Sequence, residues 1–536
     1  MGSKGCQGQG SQSWTRRSFV SGAGMGLAGM ALVGLTGCAP KSSNQAEEGL
    51  PASWDKEADV VIVGCGGCGA PAALSAAEAG ASVICVEAAA MIGGSAALCA
   101  GTIVAADTQY QRDAGISDSP EQYLEDVKKF VGDSTIHRAG DDWNLFLMQA
   151  NEGGATIDWL ANYGVEFNAP VAYPGHSVDR LHVLTPNSGA WTQVVKQKLD
   201  DLGVGLILST RADSLVVDET GAVVGIRASS GSRALFIKAN KGVLLAAGGF
   251  DANPDIKLKY YDETFANIAY ANSFNDGSGI TMAQKIGADL TDLTAPVSNL
   301  MRTTQPGPDA GITQKQKWMK FSIINAGAIL VNREGLRFCN EEQTDSALIP
   351  LCEGQTDKQC WMVYDEAVAA NFRDFPQSVV SSIAGKGWGT VEDFIEHDGI
   401  QVGQTIEEAA DLAGIDATGL AGQLTVWNEA CSSGSDSVFQ RATFGREEAG
   451  TLGLGMLKPP FYIHGPIRAE CNQGWASLAI TEKFEVKDVM GEVIPGLYCG
   501  GQMGHGLSPI AGGGHGGTMC WALTSGRLAG SYIASL

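Results

Sequence analysis

Histidine is scarce in this chain, seven in 536 residues, and none falls in H-E-x-x-H or beside cysteines paired at zinc-site spacing. No resident metal is therefore expected. Positive charge is short as well: 36 Lys and Arg stand against 59 Asp and Glu, a net charge of −23. A basic face is what nucleic acid or anionic lipid requires, so neither is an expected partner, and membrane attachment would need another cause. G-x-S-x-G, a Walker loop with its Lys, and C-x-x-C-H are all missing. Their absence argues against a serine-hydrolase elbow, a P-loop and c-type haem. The mildly apolar stretch Val20 to Thr36 is 17 residues long and rich in Gly, short of the roughly 20 a spanning helix needs.

Cysteine is not scarce. Thirteen in one chain invite a disulfide reading. Cys85 ends an apolar run, Cys499 sits in Gly-Leu-Tyr-Cys-Gly-Gly, and Cys520 lies in a small-residue helix. Those settings are the ones buried, hydrophobe-like cysteines occupy. Cys65 and Cys68 form C-x-x-C inside a glycine turn, where a redox dithiol stays open; an iron–sulfur cluster needs four thiolates.

The stretch 59–69, Asp-Val-Val-Ile-Val-Gly-Cys-Gly-Gly-Cys-Gly, organises the rest. Val60 to Val63 form a short β-branched run expected of a strand buried on both faces. Gly64, Gly66 and Gly69 give G-x-G-x-x-G, and an Ala-rich helix, Ala70 to Ala79, follows. A second strand, Ala81 to Val86, leads to Glu87, 18 residues past Gly69. The first glycine permits the turn, the second lets backbone N–H groups approach a pyrophosphate, and the third packs helix on strand. The helix N-terminus meets phosphate charge, and Glu87 is placed to accept from a ribose. A ligand-free glycine turn is the bland alternative, and the register of all five parts argues against it.

Thr15-Arg16-Arg17-Ser18-Phe19-Val20 is a twin-arginine pattern, and Leu35-Thr36-Gly37-Cys38 resembles a bacterial lipobox. A signal anchor is the alternative to a cleaved, lipid-modified leader. The favoured expectation is an exported protein on the outer face of the cytoplasmic membrane, held only by lipid on Cys38. Residues 1–37 are then the signal, and the polar residues 38–54 a flexible tether.

At Met91-Ile92-Gly93-Gly94-Ser95-Ala96 the chain resembles the flavoprotein family of fumarate reductases, succinate dehydrogenases and 3-ketosteroid dehydrogenases, which carries a G-G-x-S turn there. Ala246-Ala247-Gly248-Gly249-Phe250 resembles the family's A-T-G-G-F strand end, and Asn275-Asp276-Gly277-Ser278-Gly279 its G-D-G turn. Gly327 to Glu341 is similar to its cap signature, and Ile494 to Gln502 to its I-P-G-L-Y-A-A-G-E strand. The resemblance implies an α/β fold: a Rossmann-like FAD-binding domain of the glutathione-reductase type (55–300 and 465–536) with an inserted α+β cap (301–464). Helical stretches are expected at Thr405 to Leu412 and Leu420 to Ala430, and 115–202 should be mostly helical with a Pro/Gly/Asn-rich interruption at 168–190. The implied cofactor is non-covalent FAD, since no His follows the G-G-S turn. Its expected contacts are Gly64, Gly66, Gly67, Gly69, Glu87, Gly93, Gly94 and Ser95, then Ala100, Gly101, Thr102, Ala212, Ala247, Gly248 and Asp276. Gln502, Gly517, Thr518 and Met519 complete them, with a helix N-terminus near Thr518 suited to charge on a reduced flavin.

Family dicarboxylate reductases hold their substrate with two His and an Arg, while a further Arg donates the proton. Those positions fall on Asn299, Glu470 or Cys471, and the segment Gly512 to Gly514, with no Arg at Thr344-Asp345 for the acid. The relay positions fall on Phe321 and Ile324. Trp318, Phe321, Ile323, Ile324, Met301 and Trp475 supply apolar surface instead, unless they are simply cap core. His505, His515, Tyr270 and Arg302 are the candidate catalytic residues. The expected function is reduction of an activated C=C bond in an enone, unsaturated lactone, steroid-like or phenylpropenoid acceptor. Electrons would come from a separate membrane carrier such as a multihaem cytochrome or quinol dehydrogenase. A ketosteroid-type dehydrogenase, a fumarate-reductase-like enzyme for a small carboxylate, and a non-catalytic ligand-binding lipoprotein are the alternatives.

Overall fold

Lys56–Val63 forms a central strand, β1, in which Val60, Val61 and Ile62 are fully buried. A β-branched run with no polar alternation can only sit where both sheet faces are covered. The computed structural model describes residues 50–99, 101–131, 143–171, 176–260, 272–291, 297–302, 323–324, 327–343, 345–373, 400–442, 444, 455–473, 477–504 and 517–536. The expected leader with Cys38 lies outside them, and the residues from Gly49 onward form one compact unit.

β1 pairs in parallel with β2, Val83–Val86, on one side and with the long strand Arg233–Leu245 on the other. Gly205–Ile207 extends the sheet beyond β2, and Val493–Cys499 extends it beyond Val243 to Leu245, both in parallel. Glu485–Lys487 and the hairpin of Arg211–Val217 with Val223–Ser230 add antiparallel strands, making eight. Five strands thus finish at one edge, and their following turns converge there. Helix α1, Gly69–Glu78, covers one face, with the C-terminal helix Gly517–Ser535 against it. Their approach is close because the partner helix is glycine where they touch: a Cβ on Gly526 would lie 2.1 Å from the Cys68 carbonyl oxygen, and one on Gly530 2.1 Å from that of Ala72.

A second, antiparallel sheet joins Val297–Arg302, Phe461–Gln473, Cys360–Asp365 and Ile329–Val331, with Gln401–Gly403 also pairing to 461–473. Ile329–Val331 and Cys360–Asp365 are buried at every position, yet the period of two still sorts them. Leu330, Cys360, Met362 and Tyr364 enter one buried cluster, while Ile329, Val331, Trp361 and Val363 enter the other. The helices Ile406–Ala413 and Ala417–Ser433 cover the latter face. Each starts on a capping side chain, Thr405 accepting from Glu408 N and Asp416 accepting from Thr418 N and Gly419 N. Strand 461–473 runs across position 464, so residues on both sides of that expected boundary share one sheet.

Among its described residues the region 115–202 is mostly helical, and the interruption at 168–190 holds a strand. Leu181–Thr185 pairs with Thr102–Val104 and Glu166–Phe167 in a small antiparallel sheet. Its alternation is masked by Arg180 and His182, both buried, whose polar groups find partners inside the fold.

Candidate active site: a cleft at the carboxyl ends of the parallel strands

The turns after β1, β2, Arg233–Leu245 and Val493–Cys499 border one cleft of about 1080 Å³, part of it open to solvent. That is the crevice position expected of ligands in open α/β sheets.

Gly64 makes the first turn possible. Its φ is +94°, and a Cβ there would sit 2.6 Å from the Ala246 carbonyl oxygen. Gly69 packs the start of α1 on β1, since a Cβ would lie 1.8 Å from the Gly64 oxygen. Gly66 is different. A Cβ on it would meet only Gly94 Cα at 3.7 Å and the Gly93 oxygen at 3.8 Å, ordinary contact distances. Gly66 and Gly94 both line the cleft, so the two glycine turns close on each other and leave their backbones facing it.

Glu87 emerges from the end of β2, 7% exposed. Its carboxylate accepts from Cys65 N at 2.7 Å and Ala89 N at 2.8 Å. The acid therefore ties the glycine turn to the end of β2 and still borders the cleft. Among the described lining residues it is the one acid, and Arg211 the one base. In a chain of 59 acids that sparseness suits a diphosphate ligand. The start of α1 (Gly67 and Cys68) and that of the C-terminal helix (Thr518, Met519 and Ala522) also line the cleft. Neither helix carries an acid in its first turn, so both positive dipole ends are left for an anion.

Of the expected contacts, Gly64, Gly66, Gly67, Glu87, Gly94, Ser95, Ala212, Ala247, Gly248, Gln502, Thr518 and Met519 line the cleft. Six others do not. Gly69 packs α1 as described; Gly93 turns away to donate its N–H to the Cys65 oxygen at 2.8 Å. Gly101 donates to Cys99 Sγ at 3.3 Å, and Thr102 pairs with Val183 in the small sheet. Asp276 caps the helix Ser278–Gln284 by accepting from Ser278 N at 3.0 Å, and it forms an ion pair with Arg211. Gly517 is buried at the helix start. Ala100 lies outside the described residues.

His505, His515 and Tyr270 also lie outside the described residues, as do Phe321, Trp318, Trp475 and Gly512 to Gly514. Arg302 ends the strand Val297–Arg302, opposite Ile467. Ile323 and Ile324 are buried in the core against the second sheet, packed with Leu330 and Met362. The backbone register sets Asn299 opposite Glu470 and Ser298 opposite Cys471. Asn299 and the Glu470 alternative for the second substrate-clasping His are thus direct cross-strand neighbours, while Cys471 stands one position along.

Cys68 and Cys99 line the cleft, yet the ten cysteines whose side chains are described, these two among them, are free. Burial pushes the Cys68 thiol up to about 12, against a weaker opposing hydrogen bond from Ser525. A hydrogen bond from Cys65, with burial behind it, raises Cys85 well above the usual thiol range. Such thiols stay protonated at neutral pH, which disfavours a dithiol that needs a thiolate. Among the described residues no group of His, Cys, Asp or Glu is arranged to hold a metal.

Sequence reasoning did not single out Asn272, Phe274, Asn275 or Arg211 as cleft residues, although each lines it. Asn275 lies in the recognised N-D-G turn and Arg211 beside Ala212, so neighbouring motifs carried a partial signal.

The family described as FAD binding domain matches residues 59–517. This chain belongs to it. FAD is its cofactor, and the protein is a flavin-dependent oxidoreductase, which removes the reading as a non-catalytic ligand binder. It is 28% identical over 500 residues to a fumarate reductase (cytochrome) of Shewanella frigidimarina, covering 92% of this chain and 80% of that one. It is 31% identical over 482 residues to a urocanate reductase of Eggerthella lenta, covering 87% and 72%. Among solved structures, the 3-ketosteroid-Δ4-(5α)-dehydrogenase of Rhodococcus jostii RHA1 in complex with 4-androstene-3,17-dione superposes with a TM-score of 0.69. The identity there is 25%, with 90% of this chain and 98% of that one covered. The cleft fits the cofactor: a glycine backbone, two acid-free helix N-termini and a single ribose-suited acid meet at the sheet's carboxyl edge.

Proposed function

We propose that this flavoenzyme reduces an activated C=C bond in a neutral or monoanionic acceptor. When bound, FAD supplies hydride transfer between its N5 and a substrate carbon. The chain's residues at Gly64, Gly66, Gly67, Glu87, Gly94, Ser95, Ala212, Ala247, Gly248, Gln502, Thr518 and Met519 hold it. Glu87 accepts from the ribose, and the two helix N-termini face the cofactor's negative charge.

The observation that carries the substrate reading is the Asn299–Glu470 register in the cap sheet. A fumarate-type site needs cations there, and this chain has an amide and an acid. Carrying two carboxylates into a capped site without paired cations costs several kcal/mol per ion. The urocanate reductase and the steroid-ketone complex support acceptors with at most one carboxylate. Protonation falls to His505, with His515, Tyr270 and Arg302 as the remaining candidates, since an imidazole can act as a general acid. Electrons come from a separate membrane carrier, a multihaem cytochrome or quinol dehydrogenase. The enzyme sits outside the cytoplasmic membrane on lipid attached to Cys38.

Steady-state assays under anaerobic conditions with reduced viologen test this, using fumarate, urocanate and a panel of neutral enones and unsaturated lactones. Turnover of a neutral or monoanionic acceptor with fumarate untouched is expected. Fumarate turnover matching the best of the panel would refute the substrate reading. Oxidation of saturated ketones in a parallel assay with an added oxidised dye as electron acceptor, with no reduction of any of the unsaturated acceptors, would favour the dehydrogenase direction.

A further inference from the structure

Behind the wall of the cleft lies a carboxylate to which neither the motifs nor the cofactor reading gives a role. Asp251 follows Gly248-Gly249-Phe250 and is 3% exposed. Both of its oxygens accept from Gln502 Nε2, at 3.1 and 3.0 Å, and Oδ2 also accepts from Asn275 Nδ2 at 3.0 Å. Asn275 Nδ2 reaches on to Ser95 Oγ at 3.0 Å. Gln502, Asn275 and Ser95 all line the cleft, whereas Asp251 does not. One buried group thus gathers three lining side chains that are far apart in the sequence.

The chemistry of the groups fixes what each can offer. A carboxylate has only acceptor sites, so the amides of Gln502 and Asn275 must turn their NH2 groups to it. Their carbonyl oxygens are then directed elsewhere, as acceptors. Ser95 Oγ already accepts from Asn275, so its own O–H proton remains to be donated. The wall therefore combines amides of fixed orientation with a hydroxyl donor. The hydroxyl-rich ribityl chain requires acceptors, and the pyrophosphate requires donors. An amide that was free to flip would present either group and hold neither partner firmly.

We propose that Asp251 is a positioning residue that sets the donor and acceptor polarity of this wall and so governs FAD affinity without touching the cofactor. This rests on the cleft holding FAD. It also explains why an amide stands at 502, because a carboxylate there would face the Asp251 carboxylate at about 3 Å, where like charges oppose joint ionisation.

The test is FAD affinity, measured by titrating FAD into deflavinated full-length protein, with the thermal midpoint of each apoprotein recorded alongside. Asp251→Asn should bind FAD roughly tenfold more weakly, as losing hydrogen bonds to a charged group implies. Gln502→Glu should be at least as weak. The double variant, which moves the carboxylate from 251 to 502 and keeps one amide facing it, should recover affinity over Gln502→Glu. Ser95→Ala removes an exposed hydroxyl with little risk to folding. It should weaken binding in the native background and have a smaller effect beside Asp251→Asn, the non-additivity of a shared network. Native affinity in both single variants, or a double variant no better than Gln502→Glu, would overturn the proposal. So would additive effects of Ser95→Ala and Asp251→Asn, and so would a loss seen only in the apoprotein midpoints. Wild-type protein that binds no FAD would instead sink the cofactor reading beneath it.

Discussion

Three glycines of one motif do different work, and single substitutions separate them. Gly66→Val should yield folded apoprotein with native far-UV circular dichroism but no bound flavin. Its side chain meets no backbone closer than 3.7 Å at Cβ and so extends into the cleft. Gly69→Val should fail to give soluble protein, because its Cβ would overlap the Gly64 oxygen at 1.8 Å. If Gly66→Val retained FAD, the pyrophosphate would not lie against this turn. Glu87→Gln keeps the shape and exchanges one acceptor for a donor that faces Cys65 N or Ala89 N. FAD affinity should fall about tenfold, read by fluorescence titration. These residues were legible from sequence because turn, helix start and acid are local and follow one another within 30 residues. Asp251 was not, since its partner Gln502 is 251 residues away and only the folded chain brings them together.

At the scale of elements, apolar runs proved readable where they were continuous and harder where a buried ion broke the pattern. β1 was visible as a hydrophobic block. Leu181–Thr185 was not, because Arg180 and His182 interrupt the alternation while being buried. Arg180 pairs with Asp118 at 2.6 Å and Asp126 at 2.7 Å, and its side chain is fully buried. Burial, with the Arg180 charge adding to it, lowers His176 to about 4. Burial likewise lowers His182 to about 4, outweighing the hydrogen bond its ring makes to the Arg180 carbonyl. Both rings are neutral in the fold at pH 7 and take up protons more readily when unfolded. Their contribution is therefore complete above about pH 6.5 and is lost as pH falls toward 4. Replacing His182 with Gln should flatten that acid slope by up to about 1.4 kcal/mol per pH unit, one proton's share. Unfolding midpoints measured from pH 4 to 7 would show it, and an unchanged slope would mean His182 does not titrate. In the cap, Asp365 is fully buried and accepts from Val368 N, Leu457 N and Lys458 N, each at 3.0 Å. Asp365→Ala leaves those donors without their acceptor and should cost about 2–4 kcal/mol in chemical denaturation.

For the whole molecule, the family resemblance pointed to an FAD-binding fold from short motifs spread along the chain. It did so because cofactor-facing turns admit few residue types. Substrate choice is less legible, since it depends on cap positions where this chain departs from the dicarboxylate pattern. Cys38→Ala should shift the protein from membrane to soluble fractions, and a chain retained in membranes without that thiol would remove the lipid-anchor proposal. The central claim is that the cap accepts at most one substrate carboxylate. Its most direct measurement is a single turnover: holoprotein reduced anaerobically, mixed with each acceptor, and followed by the return of oxidised-flavin absorbance. A neutral or monoanionic acceptor of the panel should restore the oxidised spectrum while fumarate leaves the flavin reduced. Reoxidation by fumarate as fast as by the best of these acceptors would contradict the account.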